Sequence, residues 1–198
     1  MHYQSLVKII MNTKFNEKDC LKKCTFVLSL VPIIVWAVFL LCGCSDKEVI
    51  IREGQPAPAF VLTDITGKTI RVPEDVKGKI VAIRFWADWC KACVAEMPEI
   101  DRVYKKYANS DFLILAVNVG QDRSTVEKFV KGYNISYPVL IDVGREVTKR
   151  YGIAGIPVTY FLDRNGIIRR KILGEIDGVA FEKIVLEQLK EKEPEDKK

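Results

Sequence analysis

Histidine is almost missing from this chain of 198 residues: the only one is His2. Cysteine is scarce where a folded body would use it, because of the 6 cysteines only Cys90 and Cys93 lie beyond Cys44. A zinc site needs a third and a fourth ligand, and no second Cys-x-x-Cys is present to supply them, so a metal role for the pair is disfavoured. A disulfide-stapled scaffold is disfavoured too. A body of this length buries a core without staples, and so short a loop stabilises little when closed. Lys and Arg do not cluster among aromatics despite a net charge of +5, so no nucleic-acid partner is expected. Repeats and low-complexity stretches are absent between Val49 and Lys190.

Uncharged stretches are short, with one exception. From Thr25 to Cys42 no charged residue occurs, with Lys14, Lys18, Lys22 and Lys23 before it and Ser45-Asp46-Lys47-Glu48 after it. A basic flank followed by an apolar core reads as a signal peptide or signal anchor, which puts the body across the membrane. Leu41-Cys42-Gly43-Cys44 resembles a bacterial lipobox, which implies cleavage after Gly43 and a lipid on Cys44. The same run is long enough to span a bilayer uncleaved, so lipoprotein and anchor both stand, with the lipoprotein favoured. Cys20 and Cys24 read as free reduced thiols without a function. The chain thus divides into a signal or anchor segment over 1–48, a body over 49–190, and a charged tail over 191–198.

In the body, strands and helices alternate. Short strands are expected over 59–62 and 69–72 around an Asp64-Ile65-Thr66-Gly67 turn, with buried strands over 80–86 and 112–119. Helices are expected from Cys90 to about Tyr107, over 125–131 and over 146–151, with a short strand over 139–141. Strands over 158–162 and 167–173 flank the turn Asp163-Arg164-Asn165-Gly166 and should run antiparallel. An amphipathic helix over 181–190 closes the body, with Phe181, Ile184, Val185 and Leu189 on one side. This pattern predicts an α/β fold with a mixed central sheet flanked by helices.

The informative motif is Phe85-Trp86-Ala87-Asp88-Trp89-Cys90-Lys91-Ala92-Cys93, where the buried strand gives way to a helix. Thiols at this spacing on a first helical turn lie close enough to join with little backbone movement. The first sits at a helix N-terminus, where free N–H groups and the dipole favour a thiolate. The pair reads as a reversible dithiol switch. Phe85 is expected in the core, and Asp88 as a solvated loop residue. Trp89 is expected to form an apolar rim for partner contact.

Cys90-x-x-Cys93, a proline at Pro98 in the following helix and the later Gly155-Ile156-Pro157-Val158-Thr159 resemble the signature of the thioredoxin fold. The opening Gly54-Gln55-Pro56-Ala57-Pro58-Ala59-Phe60, Lys77-Gly78-Lys79 and Ala95-Glu96-Met97-Pro98 narrow the resemblance to the TlpA/ResA group of membrane-anchored, extracytoplasmic thiol-disulfide oxidoreductases. It implies a thioredoxin-like fold with an added N-terminal β-hairpin. It also implies that Cys90 and Cys93 are the catalytic pair, joined as a disulfide in the oxidised state and needing no further cofactor. Pro157 is implied to be cis, with Ile156 presenting its peptide group to a substrate. Glu96 matches a glutamate thought to tune the thiols and move protons, and it is favoured here for the same work over a solvated surface role. Two positions depart from the pattern. Lys91-Ala92 separates the cysteines where many relatives carry a proline second, and Arg84 stands where thioredoxin has a buried Asp. Arg84 is expected to snorkel to the surface.

The activity the resemblance implies is reduction of disulfides in exported proteins, with apocytochrome c as a candidate client, by a monomer recharged from a membrane thiol-electron transporter. Alternatives are a dithiol oxidase, a thiol peroxidase and a non-catalytic binding module. Ala87 replaces the Thr or Ser that peroxidases of this fold usually carry three residues before the reactive cysteine, and the intact pair speaks against a pure binder.

Overall fold

Two strands without a polar face organise the molecule. Ile80–Trp86 (β3) is buried at every residue, and Phe112–Val119 (β4) nearly so. They pair in parallel at the centre of a seven-stranded sheet, in a computed structural model that describes residues 50–191. The segment 1–48 expected to carry the signal or anchor, Cys44 within it, and residues 192–198 of the tail lie outside the described residues.

The remaining strands are Phe60–Asp64 (β1), Thr69–Val72 (β2), Val139–Asp142 (β5), Val158–Leu162 (β6) and Ile168–Leu173 (β7), and the sheet order is β2-β1-β5-β4-β3-β6-β7. Strands β3, β4 and β5 run parallel, while β6 lies antiparallel to β3 and β7 antiparallel to β6. The N-terminal hairpin joins the same sheet, since β1 pairs antiparallel with β5. Its turn closes on the Asp64 carboxylate, which accepts from the Thr66 and Lys68 N–H groups at 2.8 and 2.9 Å. Asp163 does the same for the β6–β7 turn, accepting from the Asn165 and Ile167 N–H groups at 2.9 Å each. Asp and Gly recur in these turns because a short carboxylate reaches its own backbone.

Helices Lys91–Tyr107 (α1), Arg123–Tyr133 (α2), Glu146–Arg150 (α3) and Gly178–Lys190 (α4) cover the sheet. Helices α2 and α4 begin earlier than apolar periodicity alone predicts. Asp122 accepts the Thr125 N–H at 2.9 Å and Asp177 the Ala180 N–H at 2.7 Å, and these caps set the starts. Period-two alternation along β3 divides the core. Ile80, Ala82 and Trp86 face a cluster that includes Met97, Ile100, Val126, Phe181 and Val185 from α1, α2 and α4. Val81, Ile83 and Phe85 face the opposite cluster, with Tyr151 and Tyr160. Phe85 is fully buried, its ring centroid 5.3 Å from that of Tyr151.

Candidate active site

The chain leaves β3 at Trp86 and turns through Ala87, Asp88 and Trp89 before α1 begins. Cys90 caps that helix: its backbone is extended and its Sγ accepts the Cys93 N–H at 3.2 Å. The two sulfurs form a disulfide across a Cα–Cα distance of 5.2 Å. Cys90 keeps 7% of its surface exposed and Cys93 none. Both residues are largely buried, with Cys90 at the helix N-terminus the more accessible of the two and Cys93 behind it. Dithiol exchange requires this asymmetry of access, because the partner must reach one sulfur and leave the other for the internal step.

The two tryptophans divide their work. Trp86 is fully buried under the pair and packs against Phe129 at 5.3 Å between ring centroids, whereas Trp89 is 66% exposed. Asp88 is not the solvated loop residue the sequence suggested. Its N–H donates to Gln121 Oε1 at 3.0 Å and its Oδ1 accepts from Gln121 Nε2 at 2.7 Å. Asn118 Nδ2 donates to the same Gln121 Oε1 at 2.9 Å. This two-sided clamp fastens the loop before Cys90 to the carboxyl end of β4. Nothing local to Asp88 announces a partner so distant in sequence.

Opposite the disulfide, the Ile156–Pro157 bond is cis, as is Val72–Pro73 at the end of β2. Ile156 is half-buried and packs against the cluster that contains both cysteines. Trp89, Gly120, Gln121, Arg145, Gly155 and Ile156 line a groove of about 510 Å³, which reaches the pair's neighbourhood through Trp89, the residue before Cys90. Gln121 and Arg145 belong to no motif. The one signal for Gln121 is position, because groups that meet ligands in parallel α/β sheets collect beyond the carboxyl ends of strands.

Arg84 overturns a second expectation. It is 1% exposed and donates through Nη1 to Thr159 Oγ1 at 3.2 Å and through Nη2 to the carboxylate of Glu96. Alternation along β3 turns Arg84 toward the face covered by α1 and α4, so its stem has no path to solvent. Burial pulls its guanidinium down to about 10, which leaves it charged at neutral pH. Glu96 is buried as well, and its Oε1 accepts the Ile176 N–H at 2.6 Å just before α4. The carboxylate expected to work beside the thiols thus makes its hydrogen bonds to Arg84 and to the main chain. Among the described residues no hydrogen bond joins it to either sulfur. No group of His, Cys, Asp and Glu among the described residues is arranged to hold a metal ion.

A disulfide whose first cysteine caps a helix and keeps the little exposure the pair has, facing a cis-proline loop, defines a thiol-disulfide oxidoreductase on a thioredoxin-like fold. The AhpC/TSA family model matches residues 53–171. The thiol-disulfide oxidoreductase ResA of Bacillus cereus (strain ATCC 10987) is 39% identical over 133 residues, which cover 67% of this chain and 76% of that protein. Two solved structures are similar at 29% identity. A thiol:disulfide interchange protein of the thioredoxin family from Chlorobium tepidum has a TM-score of 0.63, covering 71% of this chain and 99% of that one. The exposed lipoprotein thioredoxin Etrx1 of Streptococcus pneumoniae has a TM-score of 0.59, covering 66% and 99%. The chain belongs to the AhpC/TSA family and, within the reach of these matches, to the ResA thiol-disulfide oxidoreductases.

Proposed function

We propose that this oxidoreductase works as an extracytoplasmic, membrane-attached reductant of disulfides in exported proteins. The observation that carries the reading is the Cys90–Cys93 disulfide with Cys90 the more accessible residue, next in sequence to Trp89, which lines a groove together with Ile156. In the reduced protein the Cys90 thiolate attacks one sulfur of a client disulfide, forming a mixed disulfide and expelling the other client sulfur as a thiolate. The Cys93 thiolate then attacks Cys90 Sγ, closing the internal disulfide and releasing the second client thiolate. Two electrons pass to the client, whose thiolates take up the two protons that the pair gave up. The N-terminus of α1 and the ammonium of Lys91 stabilise the attacking thiolate, as both put positive charge near it.

Trp89, Ile156 and Pro157 are the proposed client-binding residues. Among the described residues the N–H and C=O of Ile156 make no backbone hydrogen bond, which leaves them free to pair with an extended client segment. Glu96 is proposed as a residue that acts through its neighbours, since its bonds run to Arg84 and Ile176. Apocytochrome c, whose haem-binding motif carries two thiols, suits the chemistry as a client. A membrane thiol-electron transporter would return the electrons.

Attachment rests on the uncharged run 25–42 and the lipobox-like Leu41–Cys44, with Cys44 as the lipid acceptor. No helix among the described residues is long and apolar enough to cross a membrane. The test of function is partner trapping with Cys93→Ser in living cells. Mixed disulfides at Cys90 with exported proteins that accumulate oxidised when the chain is deleted support the reading. Clients that accumulate reduced instead would make the protein an oxidase, and no Cys90 adducts at all would sink both.

A further inference from the structure

Among the described residues, Arg145 is the one charged side chain lining the groove that Trp89 borders. It occupies the left-handed region with φ of 58°, where a bulky residue is uncommon and glycine or asparagine is favoured. The loop holds it there through its own N–H, which donates to the Asp142 carbonyl at 3.0 Å, and through its carbonyl, which accepts the Lys149 N–H at 2.9 Å. Its stem lies across Gly120, so closely that a Cβ on that glycine would sit 3.1 and 3.2 Å from Arg145 Cδ and Cγ. A glycine at the end of β4 thus leaves room for an arginine laid toward the groove.

Among the described residues Arg145 makes no ion pair and no side-chain hydrogen bond. The nearby acids are otherwise engaged or turned elsewhere. Asp88 is clamped by Gln121, and Asp122 accepts from Ser124 and Thr125. The Glu146 side chain lies over Gly144, outside the groove lining. The groove therefore offers apolar walls from Trp89, Ile153 and Ile156 and one uncommitted guanidinium.

We propose that Arg145 selects the client: the groove takes an extended segment with an acidic side chain close to its reactive cysteine, and the carboxylate pairs with Arg145. This deepens the reading of a client-reducing enzyme and rests on it. A guanidinium meets a carboxylate through two parallel donors, which fixes orientation as well as charge.

The test uses the reduced full-length chain in a nonionic detergent and synthetic peptides containing one internal disulfide, with Asp, Asn or Lys at each position flanking the attacked cysteine. Second-order exchange rates are read by mass spectrometry after acid quench. At low salt one flanking position should favour Asp over Asn by about three- to fivefold, as a partly exposed pair allows. Lys should be slower than Asn there, and the contrast should shrink at about 0.5 M salt as screening tightens. In Arg145→Gln the Asp-to-Asn ratio should fall to about one, and in Arg145→Glu it should invert. Lys149→Gln, which removes an equal charge outside the groove, should keep the preference. Equal rates for Asp and Asn at every position, or a preference that survives in Arg145→Gln, would overturn the assignment while leaving the enzymatic reading intact. No Cys90-dependent exchange with any peptide would overturn the reading beneath it as well.

Discussion

Arg84 of β3 and Glu96 of α1 meet in a buried ion pair, one helical turn beyond Cys93. The Glu96 carboxylate is shared between that guanidinium and the Ile176 N–H, so the pair ties the central strand, the redox helix and the approach to α4 at one point. Removing one member leaves an uncompensated charge in the core. Glu96→Ala should lower stability by about 3–5 kcal/mol in urea denaturation, and Arg84→Met by a similar amount. Replacing both, as Arg84→Met with Glu96→Leu, should recover most of the loss. If the double variant is as unstable as either single one, the two residues do not act as a pair.

The pair also bears on chemistry. Glu96→Gln replaces the carboxylate that meets Arg84 with an amide while keeping an acceptor for the Ile176 N–H. The pH dependence of Cys90 alkylation in the reduced protein should then shift between wild type and Glu96→Gln. An unchanged profile would confine Glu96 to structure.

Access separates the two sulfurs. With 7% exposure at Cys90 and none at Cys93, iodoacetamide should modify Cys90 at least about tenfold faster in the folded, reduced protein, since thiolate reactivity requires reach. Peptide mapping of partially alkylated samples checks this. Equal labelling would mean that the order of attack and resolution assigned above is wrong.

The clamp between Asp88 and Gln121 sets the loop that carries Trp89 and leads into Cys90. Asp88→Ala and Gln121→Ala each strip a partly buried partner and should cost about 1–3 kcal/mol. Asp88→Asn keeps an oxygen for Gln121 Nε2 and should stay near wild type. The loss should appear in KM for a protein disulfide more than in kcat, as the groove wall loosens while the sulfurs stay in place. Asp88→Asn behaving like Asp88→Ala would discard the clamp.

Asp101 is a source of acid sensitivity that lies in a partly buried network, unlike the more exposed carboxyls of Asp75, Asp122 and Glu182, which are also lowered. Burial pushes its carboxyl up, but bonds from Lys105 and from the N–H and O–H of Ser136 outweigh that and hold it below the usual range. A carboxyl lowered on folding adds stability above its unfolded value, and this is lost as pH falls through the folded one. Asp101→Asn should be less stable than wild type at neutral pH, with the gap closing below about pH 4. Thermal melts across that range check it, and a gap that widens on acidification would contradict the sign.

What the residues disclosed beforehand follows from the range of the forces involved. Strands β2, β3, β4 and β6 match the expected bounds residue for residue, because continuous burial and Asp-Gly turns are local signals. Helix α2 starts two residues and α4 three residues earlier than expected, at their Asp caps, which periodicity alone does not register. Arg84 was misjudged because its compensation comes from Glu96 on another element, and a lone charge in an apolar strand reads most simply as one that escapes to water. Gln121 and Arg145 stand at the ends of strands, where side-chain direction depends on how distant segments fold together.

The Ile176 donor to Glu96 belongs to the main chain. Every amino acid but one carries that N–H, so drift at position 176 leaves the tether untouched, and only proline severs it. The tie therefore resides in the path of the polypeptide, while the side chain at 176 is constrained separately, by its burial in the core.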